Sequence, residues 1–227
     1  MPEEGGGKRP LNPKDPVHGD GWGFALVNEK GIEYYRTHRA IFRDTLTPQF
    51  EGYFLMIVHA RQTSFEDLVS SKHSHPYHYL TPLGEYFFAH NGSVDREGLA
   101  RLLGVSDPKR YVDSELAGMI IAQRGIEEGY KLVKKYMRTS LDSLVIHLDL
   151  EKRARLYYYG DFDAERVKSK GLPLDYYQLY KVEGDGYEAV VSSSLLRDTE
   201  CSGLKRVQVT NGVISMLGKE VSVQPEN

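Results

Sequence analysis

Residues 21–36 have the sequence GWGFALVNEKGIEYYR, which predicts a β-hairpin. An apolar run at residues 22–27 precedes a polar turn at residues 28–31, and a run rich in aromatic and β-branched residues follows at 32–36. Short runs of this kind on either side of a Gly-containing turn are typical of paired antiparallel strands. We therefore expect the folded part of the chain to begin with strands.

Further strands and then helices follow in blocks. Two apolar runs, at residues 53–60 and 85–90, predict buried strands separated by a polar, histidine-rich loop at residues 62–79. Beyond them, apolar side chains recur at helical spacing. Together with a capping Asp95 and terminating glycines, this spacing predicts helices over residues 95–103, 114–124 and 126–137.

The remaining sequence predicts three β-hairpins. Their strands are expected at residues 144–148 and 156–159, at 176–182 and 187–192, and at 207–210 and 213–216, where Asn211-Gly212 is the strongest hairpin signal. Strands, then helices, then hairpins, with no βαβ alternation, predict a layered α+β fold. Pro-rich and Gly-rich residues 1–17 predict an N-terminal arm, and residues 18–227 a single domain.

The composition excludes several classes of protein. The 227 residues carry 29 basic and 32 acidic side chains, and the resulting net charge of −3 argues against a nucleic-acid binder held by phosphate contacts. The single cysteine, Cys201, cannot form an internal disulfide or a Cys-based metal cluster. We expect a cytoplasmic protein, because no apolar run reaches the roughly 18 residues of a membrane span and no signal peptide is visible.

Four short stretches are more specific than this composition requires. Taken singly, each has a structural explanation as a strand entry, a solvated cation, a turn or a helix cap. The four are His18-Gly19-Asp20-Gly21-Trp22-Gly23, His59-Ala60-Arg61-Gln62-Thr63, His90-Asn91-Gly92 and Asp113-Ser114-Glu115.

In this order the four stretches resemble the glutaminase domain of class II glutamine amidotransferases, which belong to the N-terminal-nucleophile hydrolases. The resemblance runs from about His18 to a strand at residues 190–193 and is closest to small stand-alone members. It implies a four-layer αββα sandwich, in which two antiparallel sheets face each other between layers of helices. It also implies hydrolysis of the side-chain amide of glutamine, or of a γ-glutamyl amide, without a cofactor; any ammonia-consuming synthase would be a separate protein.

The resemblance also implies roles for individual residues. The fork of Arg61 would hold the α-carboxylate of glutamine, and Asp113, at a helix start, would accept hydrogen bonds from the α-ammonium. The side-chain amide of Asn91 and the backbone N–H of Gly92 would stabilise the oxyanion that forms when the amide is attacked. Further residues of the substrate pocket are expected to be His59, Thr63, His75 and Trp22.

The histidines in the loop after the second core strand have two interpretations. His73, His75 and His78 could be metal ligands, since imidazole is a common ligand. However, we find no acidic residue or cysteine close by to complete a site, and Pro76 indicates a rigid turn. We therefore expect no metal, and we expect His75-Pro76 to stiffen the rim of the glutamine pocket.

The nucleophile is where the sequence departs from the family. The family uses a cysteine at the N-terminus of the mature chain, whereas this sequence begins with Met1-Pro2. Cys201 follows the last matched strand and is expected to be a loop residue without a catalytic role. Two explanations stay open. The chain is truncated and lacks an upstream strand that begins with Met-Cys, or the protein is a non-catalytic relative that still binds glutamine or a γ-glutamyl compound.

Overall fold

The computed structural model describes residues 17–63, 68–169, 171, 173–198 and 204–224, so most of the predicted arm and Cys201 lie outside the described residues. Strands and helices alternate in blocks along the chain. The strands are β1 (Trp22–Asn28), β2 (Gly31–Thr37), β3 (Phe54–Ala60), β4 (Tyr77–Thr81), β5 (Gly84–Val94), β6 (Met137–Leu148), β7 (Arg153–Tyr159), β8 (Leu179–Gly184), β9 (Tyr187–Ser192), β10 (Lys205–Gln208) and β11 (Ser215–Ser222). The α-helices are α1 (Arg96–Leu103), α2 (Asp113–Arg124), α3 (Ile126–Lys134), α4 (Ala164–Ser169) and α5 (Ser193–Asp198).

The largest sheet contains five antiparallel strands in the order β11-β7-β6-β5-β4. Helices α1, α2 and α3 pack against one face of this sheet. There the side chains of Phe88, Leu116, Tyr130 and Val145 contribute to one apolar core. Each of these four is nearly inaccessible to solvent, so the burial of this face stabilises helices and sheet together.

Two three-stranded antiparallel sheets, β2-β1-β3 and β10-β8-β9, contribute to a second apolar core on the other face of the five-stranded sheet. This core contains Ile57 of β3, Phe87 of β5, Ile146 of β6 and Val190 of β9. The strands alternate faces as the period of two requires, so Phe87 and Phe88 enter different cores. The order of layers is therefore helices, the five-stranded sheet, and the two three-stranded sheets.

The α+β class is confirmed, and the first hairpin forms as predicted between β1 and β2. Several element boundaries are wrong; β6, for example, begins at Met137 instead of residue 144. The third helix ends at Lys134, not at residue 137, because Met137 already pairs with Val94 at the start of β6. Strand β4 begins inside the segment predicted as a loop at residues 62–79 and extends to Thr81, because polar residues such as His78 obscured the strand pattern.

The hairpin predicted at Asn211-Gly212 is also wrong. Strand β10 pairs with β8, whereas β11 pairs with β7 in a different sheet. Gly212 does occupy a turn, with a φ of 75°. The Asn-Gly pair therefore identified a change of chain direction, but local sequence does not determine which strand each flank will join.

No helix in the described ranges combines the length and the apolarity that crossing a membrane requires.

We predict that truncation of a core side chain at the sheet–helix interface costs much of the stability. Phe88 is 1% exposed and Leu80, on the outer strand β4, is 75% exposed. Phe88→Ala should lower the free energy of unfolding by about 3–5 kcal/mol, since it removes buried apolar surface and leaves a cavity. Leu80→Ala should change it by less than about 0.5 kcal/mol. Urea unfolding measures both, and equal effects would contradict this assignment of the core.

Candidate functional site

The predicted site residues meet where β3 ends, where β5 approaches its end and where α2 begins. A small cavity of about 130 Å³ lies there. Seven of the eight residues predicted from the sequence line it: His59, Arg61, Thr63, His75, Asn91, Gly92 and Asp113. The eighth, Trp22, does not. It lies in a separate cluster with Phe24 and Leu26, and its indole N–H donates to Asp44.

Arg61 is a buried cation in the wall of the small cavity, with only 3% of its surface exposed. Its Nη1 donates to the carbonyl of Leu68 at 2.9 Å, which anchors one of the five N–H donors of the guanidinium. Burial lowers the pKa of Arg61, and the nearby Tyr77, Asp20 and Asp113 oppose that shift. The group stays charged at neutral pH because an arginine pKa starts above 12.

The His18-to-Gly23 stretch orders the backbone around Arg61. The Arg61 N–H donates to the carbonyl of Gly21 at 2.8 Å, and the Asp20 N–H donates to the Arg61 carbonyl at 3.0 Å. The Asp20 carboxylate also accepts from the Thr63 N–H at 2.9 Å. Gly21 has a φ of 127°, and a Cβ there would lie 2.2 Å from the Ser74 hydroxyl, so only glycine fits. This stretch therefore builds the scaffold of the cavity.

Asp113 is the first residue of α2 and links that helix to β5. One carboxylate oxygen accepts from the Val94 N–H and the other from the Ser114 N–H, both at 2.9 Å. A carboxylate has about four lone-pair sites, so each oxygen keeps capacity for a further donor. Asp113 can therefore hold the helix in place and still accept from a ligand cation.

Asn91 and Gly92 lie at an irregularity in the pairing of β5 with β6. Gly92 has a φ of 133°, and a Cβ on it would lie 2.2 Å from the Ser140 carbonyl oxygen. The carbonyl of Asn91 accepts from the Ser140 hydroxyl at 3.1 Å, while the side chain of Asn91 is exposed at the cavity. A glycine is required here because the backbone conformation and the space both exclude a side chain.

Two neutral histidines form the inner part of the cavity wall. The rings of His59 and His75 lie 4.2 Å apart, centre to centre. Burial lowers the pKa of His59 to about 3, and the positive charges of His18 and Arg61 act in the same direction. Burial likewise lowers the pKa of His75 well below its ordinary value. Neither ring nitrogen of His75 has a hydrogen-bond partner in the described part of the chain.

His90 connects the site to the helices. It belongs to the His90-Asn91-Gly92 motif, but the sequence did not predict it as a site residue. Its Nε2 lies 3.2 Å from the Ser140 carbonyl, which can only accept, so Nε2 carries the proton of the neutral ring. Its Nδ1 then accepts from the Ser114 hydroxyl at 2.8 Å. Burial lowers the pKa of His90, against the opposing charge of Asp113.

The histidines of the loop do not converge on a metal position. The ring of His73 lies 3.0 Å from the Ser70 hydroxyl, that of His78 lies 2.7 Å from the Glu85 carboxylate, and that of His75 is tilted by 42° against His59. Across the described ranges, no group of three His, Cys, Asp or Glu side chains has an arrangement that could hold a metal ion.

A larger cavity of about 330 Å³ adjoins the small one. Four residues line both: His18, His59, His90 and Asn91. The larger cavity also contains Asp142, a buried acid that we did not predict from the sequence. Asp142 lies in the polar first half of β6, which begins at Met137, whereas the apolar pattern predicts a strand only over residues 144–148.

Comparisons with known proteins provide little beyond this geometry. No protein-family model matches the sequence, and no curated protein matches it. Among solved structures, the chain is similar to a predicted glutamine amidotransferase from Pseudomonas aeruginosa PA01, with 13% identity and a TM-score of 0.49. The match covers 87% of this chain and 84% of that one. A similarity of this size does not define the family of the chain.

We predict that the neutral histidines make stability depend on pH. As the pH falls, a histidine whose pKa is near 6.5 in the unfolded protein and about 3 in the folded protein takes up its proton in the unfolded protein first. Its contribution to stability is therefore complete above pH 6.5 and is lost as the pH falls toward 3. From pH 7 to pH 4.5, His59 should account for a loss of about 2 kcal/mol in the free energy of unfolding.

Urea unfolding at the two pH values measures this loss. His59→Gln should reduce the pH dependence, whereas His38→Gln, at an exposed position, should leave it as in the parent protein. An unchanged pH dependence in the His59 variant would show that His59 is not held neutral by the fold.

Proposed function

We propose that the small cavity binds glutamine or the γ-glutamyl part of an amide, as in class II glutamine amidotransferases. The observation that carries this proposal is the meeting of a buried cation, Arg61, a carboxylate, Asp113, and an Asn91-Gly92 pair around one cavity of about 130 Å³. A glutamine presents the matching set: an α-carboxylate, an α-ammonium and a neutral amide. The cation directly follows β3, where backbone hydrogen bonds to Gly21 and Asp20 fix it, and the anion is the first residue of α2, so two different parts of the fold set their separation.

Each recognition contact has a physical basis. The Arg61 guanidinium would take the α-carboxylate through charge-assisted hydrogen bonds, which are stronger in a dry site than in water. Asp113 would accept from the α-ammonium with the capacity that its two backbone contacts leave free. His59 and His75, being neutral, add no cation that would compete for the carboxylate.

The proposed reaction is glutaminase hydrolysis. In this chemistry a cysteine thiolate attacks the amide carbon, the Asn91 amide and the Gly92 N–H donate to the oxyanion, ammonia or an amine leaves, and water cleaves the thioester to release glutamate. We further propose the αββα sandwich of the N-terminal-nucleophile hydrolases, a single domain over residues 18–227, and a separate ammonia-accepting synthase as partner of a cytoplasmic enzyme.

A second candidate function is a glutamine-binding module without turnover. The supporting observation is that no cysteine is among the described residues that line either cavity. Arg61, Asp113 and the Asn91-Gly92 pair, which would recognise the ligand, line the small cavity without a cysteine. Binding and turnover are therefore separate questions for this chain.

We predict that the protein binds L-glutamine and that Arg61 recognises the α-carboxylate. Arg61→Ala should weaken the affinity about 10–100-fold, because hydrogen bonds to a charged group are lost. The same change should have little effect on 4-aminobutanamide, which lacks the carboxylate. Arg101→Ala, at an exposed position of α1, is the matched control and should bind glutamine as the parent does. Isothermal titration calorimetry measures each affinity, and a urea transition confirms that each variant is folded.

An ammonia-release assay on the same samples separates the two candidate functions. Binding with ammonia release supports the glutaminase, and binding without it supports the module. If the parent protein bound neither glutamine nor a γ-glutamyl amide, both would be refuted.

A further inference from the structure

The hydroxyl of Ser114 is paired with an imidazole at the start of α2. Serine near a helix start commonly accepts a hydrogen bond from a backbone N–H. Here the Ser114 hydroxyl instead donates to Nδ1 of His90 at 2.8 Å, and the Asp113 carboxylate accepts from the Ser114 N–H. Both members of the pair are buried, with 4% of Ser114 and 3% of His90 exposed. The position of the hydroxyl therefore calls for an explanation other than helix capping.

The tautomer of His90 suits the pair to proton transfer. Because Nε2 donates to the Ser140 carbonyl at 3.2 Å, Nδ1 directs its lone pair toward the Ser114 hydroxyl. A hydroxyl within about 3 Å of a base, with the base oriented by a third group, is the arrangement by which proteins activate a serine nucleophile. In this chain a backbone carbonyl takes the orienting position.

The surrounding charges favour the products of that proton transfer. Burial lowers the pKa of His90, and the negative charge of Asp113 opposes this effect. Asp113 therefore stabilises the imidazolium that forms when His90 accepts a proton. Ser114 is the second residue of the 12-residue helix α2, so the positive end of the helix dipole stabilises negative charge on its oxygen.

The Ser114–His90 pair lines the small cavity together with suitable donors to an oxyanion. Asn91 and Gly92 line the same cavity, and the side chain of Asn91 is exposed there. An amide N–H beside a nucleophile can stabilise the negative oxygen that forms when a carbonyl carbon is attacked. The volume of about 130 Å³ limits the group that can enter to a short acyl chain.

We propose that Ser114 is a nucleophile activated by His90, and that the small cavity hydrolyses esters of short carboxylic acids through an acyl-Ser114 intermediate. This activity goes beyond the proposed glutaminase function, because its nucleophile is among the described residues and it requires no glutamine. Esters are the favoured class, since an alkoxide or phenolate is a better leaving group than an amide nitrogen.

The reaction has two acyl-transfer steps. In the first, Oγ of Ser114 bonds to the ester carbonyl carbon and its proton passes to Nδ1 of His90. The bond from carbon to the alcohol oxygen then breaks, and that oxygen takes the proton from His90. In the second, water attacks the acyl carbon and gives a proton to Nδ1. The bond from carbon to Oγ breaks, Oγ recovers the proton, and the free acid leaves.

Covalent labelling of the full chain with a fluorophosphonate tests the nucleophile directly, since an activated serine displaces fluoride and becomes bonded to phosphorus. Peptide mass spectrometry should find the adduct on Ser114 in the folded protein and lose it after unfolding in urea. Ser114→Ala should remove the adduct, whereas Ser169→Ala, at an exposed position of α4, should keep it. An adduct on another residue, or none, would overturn the inference, and the separate glutamine titration would still decide the proposed function.

Hydrolysis of 4-nitrophenyl acetate tests the two roles. His90→Gln should lower kcat at least about 100-fold, the lower end of the range for general-base catalysis. Ser114→Ala should lose turnover, and Ser114→Cys, which keeps a nucleophile, should retain it. Circular dichroism establishes that each variant is folded. Equal rates in the parent and a folded Ser114→Ala would contradict a serine nucleophile, and an unchanged rate in His90→Gln would contradict its activation by His90.

Discussion

The antiparallel pairing of β5 with β6 is the constraint on which the rest of the structure depends. It runs from Glu85 opposite Leu148 to Gly92 opposite Leu141, and it forms the centre of the five-stranded sheet. Because successive side chains alternate faces, this one ladder supplies both apolar cores. The same alternation brings Asn91 and Asp142 to the face that meets the small sheets, and His90 to the face that meets α2.

The irregularity at the end of this ladder converts a regular sheet into a site. Pairing shifts between Gly92 and Val94, and the Val94 N–H is taken by Asp113 instead of remaining unpaired. A backbone donor released by the irregularity is therefore satisfied by the first residue of a helix. One local change thus positions the glycine, the helix start and the carboxylate at the same cavity.

Much of this arrangement could be predicted because it is local in the sequence. The first hairpin, the starts of α1 and α2 and seven of the eight site residues follow from turn chemistry, caps and short motifs. Strand partners are not local: Asn211-Gly212 marks a turn, yet its flanks join different sheets. Trp22 illustrates the same limit, since the alternation of β1 turns its indole away from Gly23 and His59 and toward Asp44.

Several buried polar groups have no partner within the described residues, and they belong to His59, His73, His75, Glu115 and Asp142. Three of these residues, His59, His75 and Asp142, line the two cavities, whereas His73 and Glu115 do not. Elsewhere in the described residues the interior follows the usual rule that buried polar atoms are hydrogen-bonded, as where the Tyr159 hydroxyl donates to the Asp161 carboxylate at 3.0 Å. Since an unpartnered buried group costs stability without a return in packing, its retention is best explained by a ligand that supplies the partner. Under the proposed function, the small cavity, with Arg61 and Asp113, would supply partners to the α-carboxylate and the α-ammonium of glutamine.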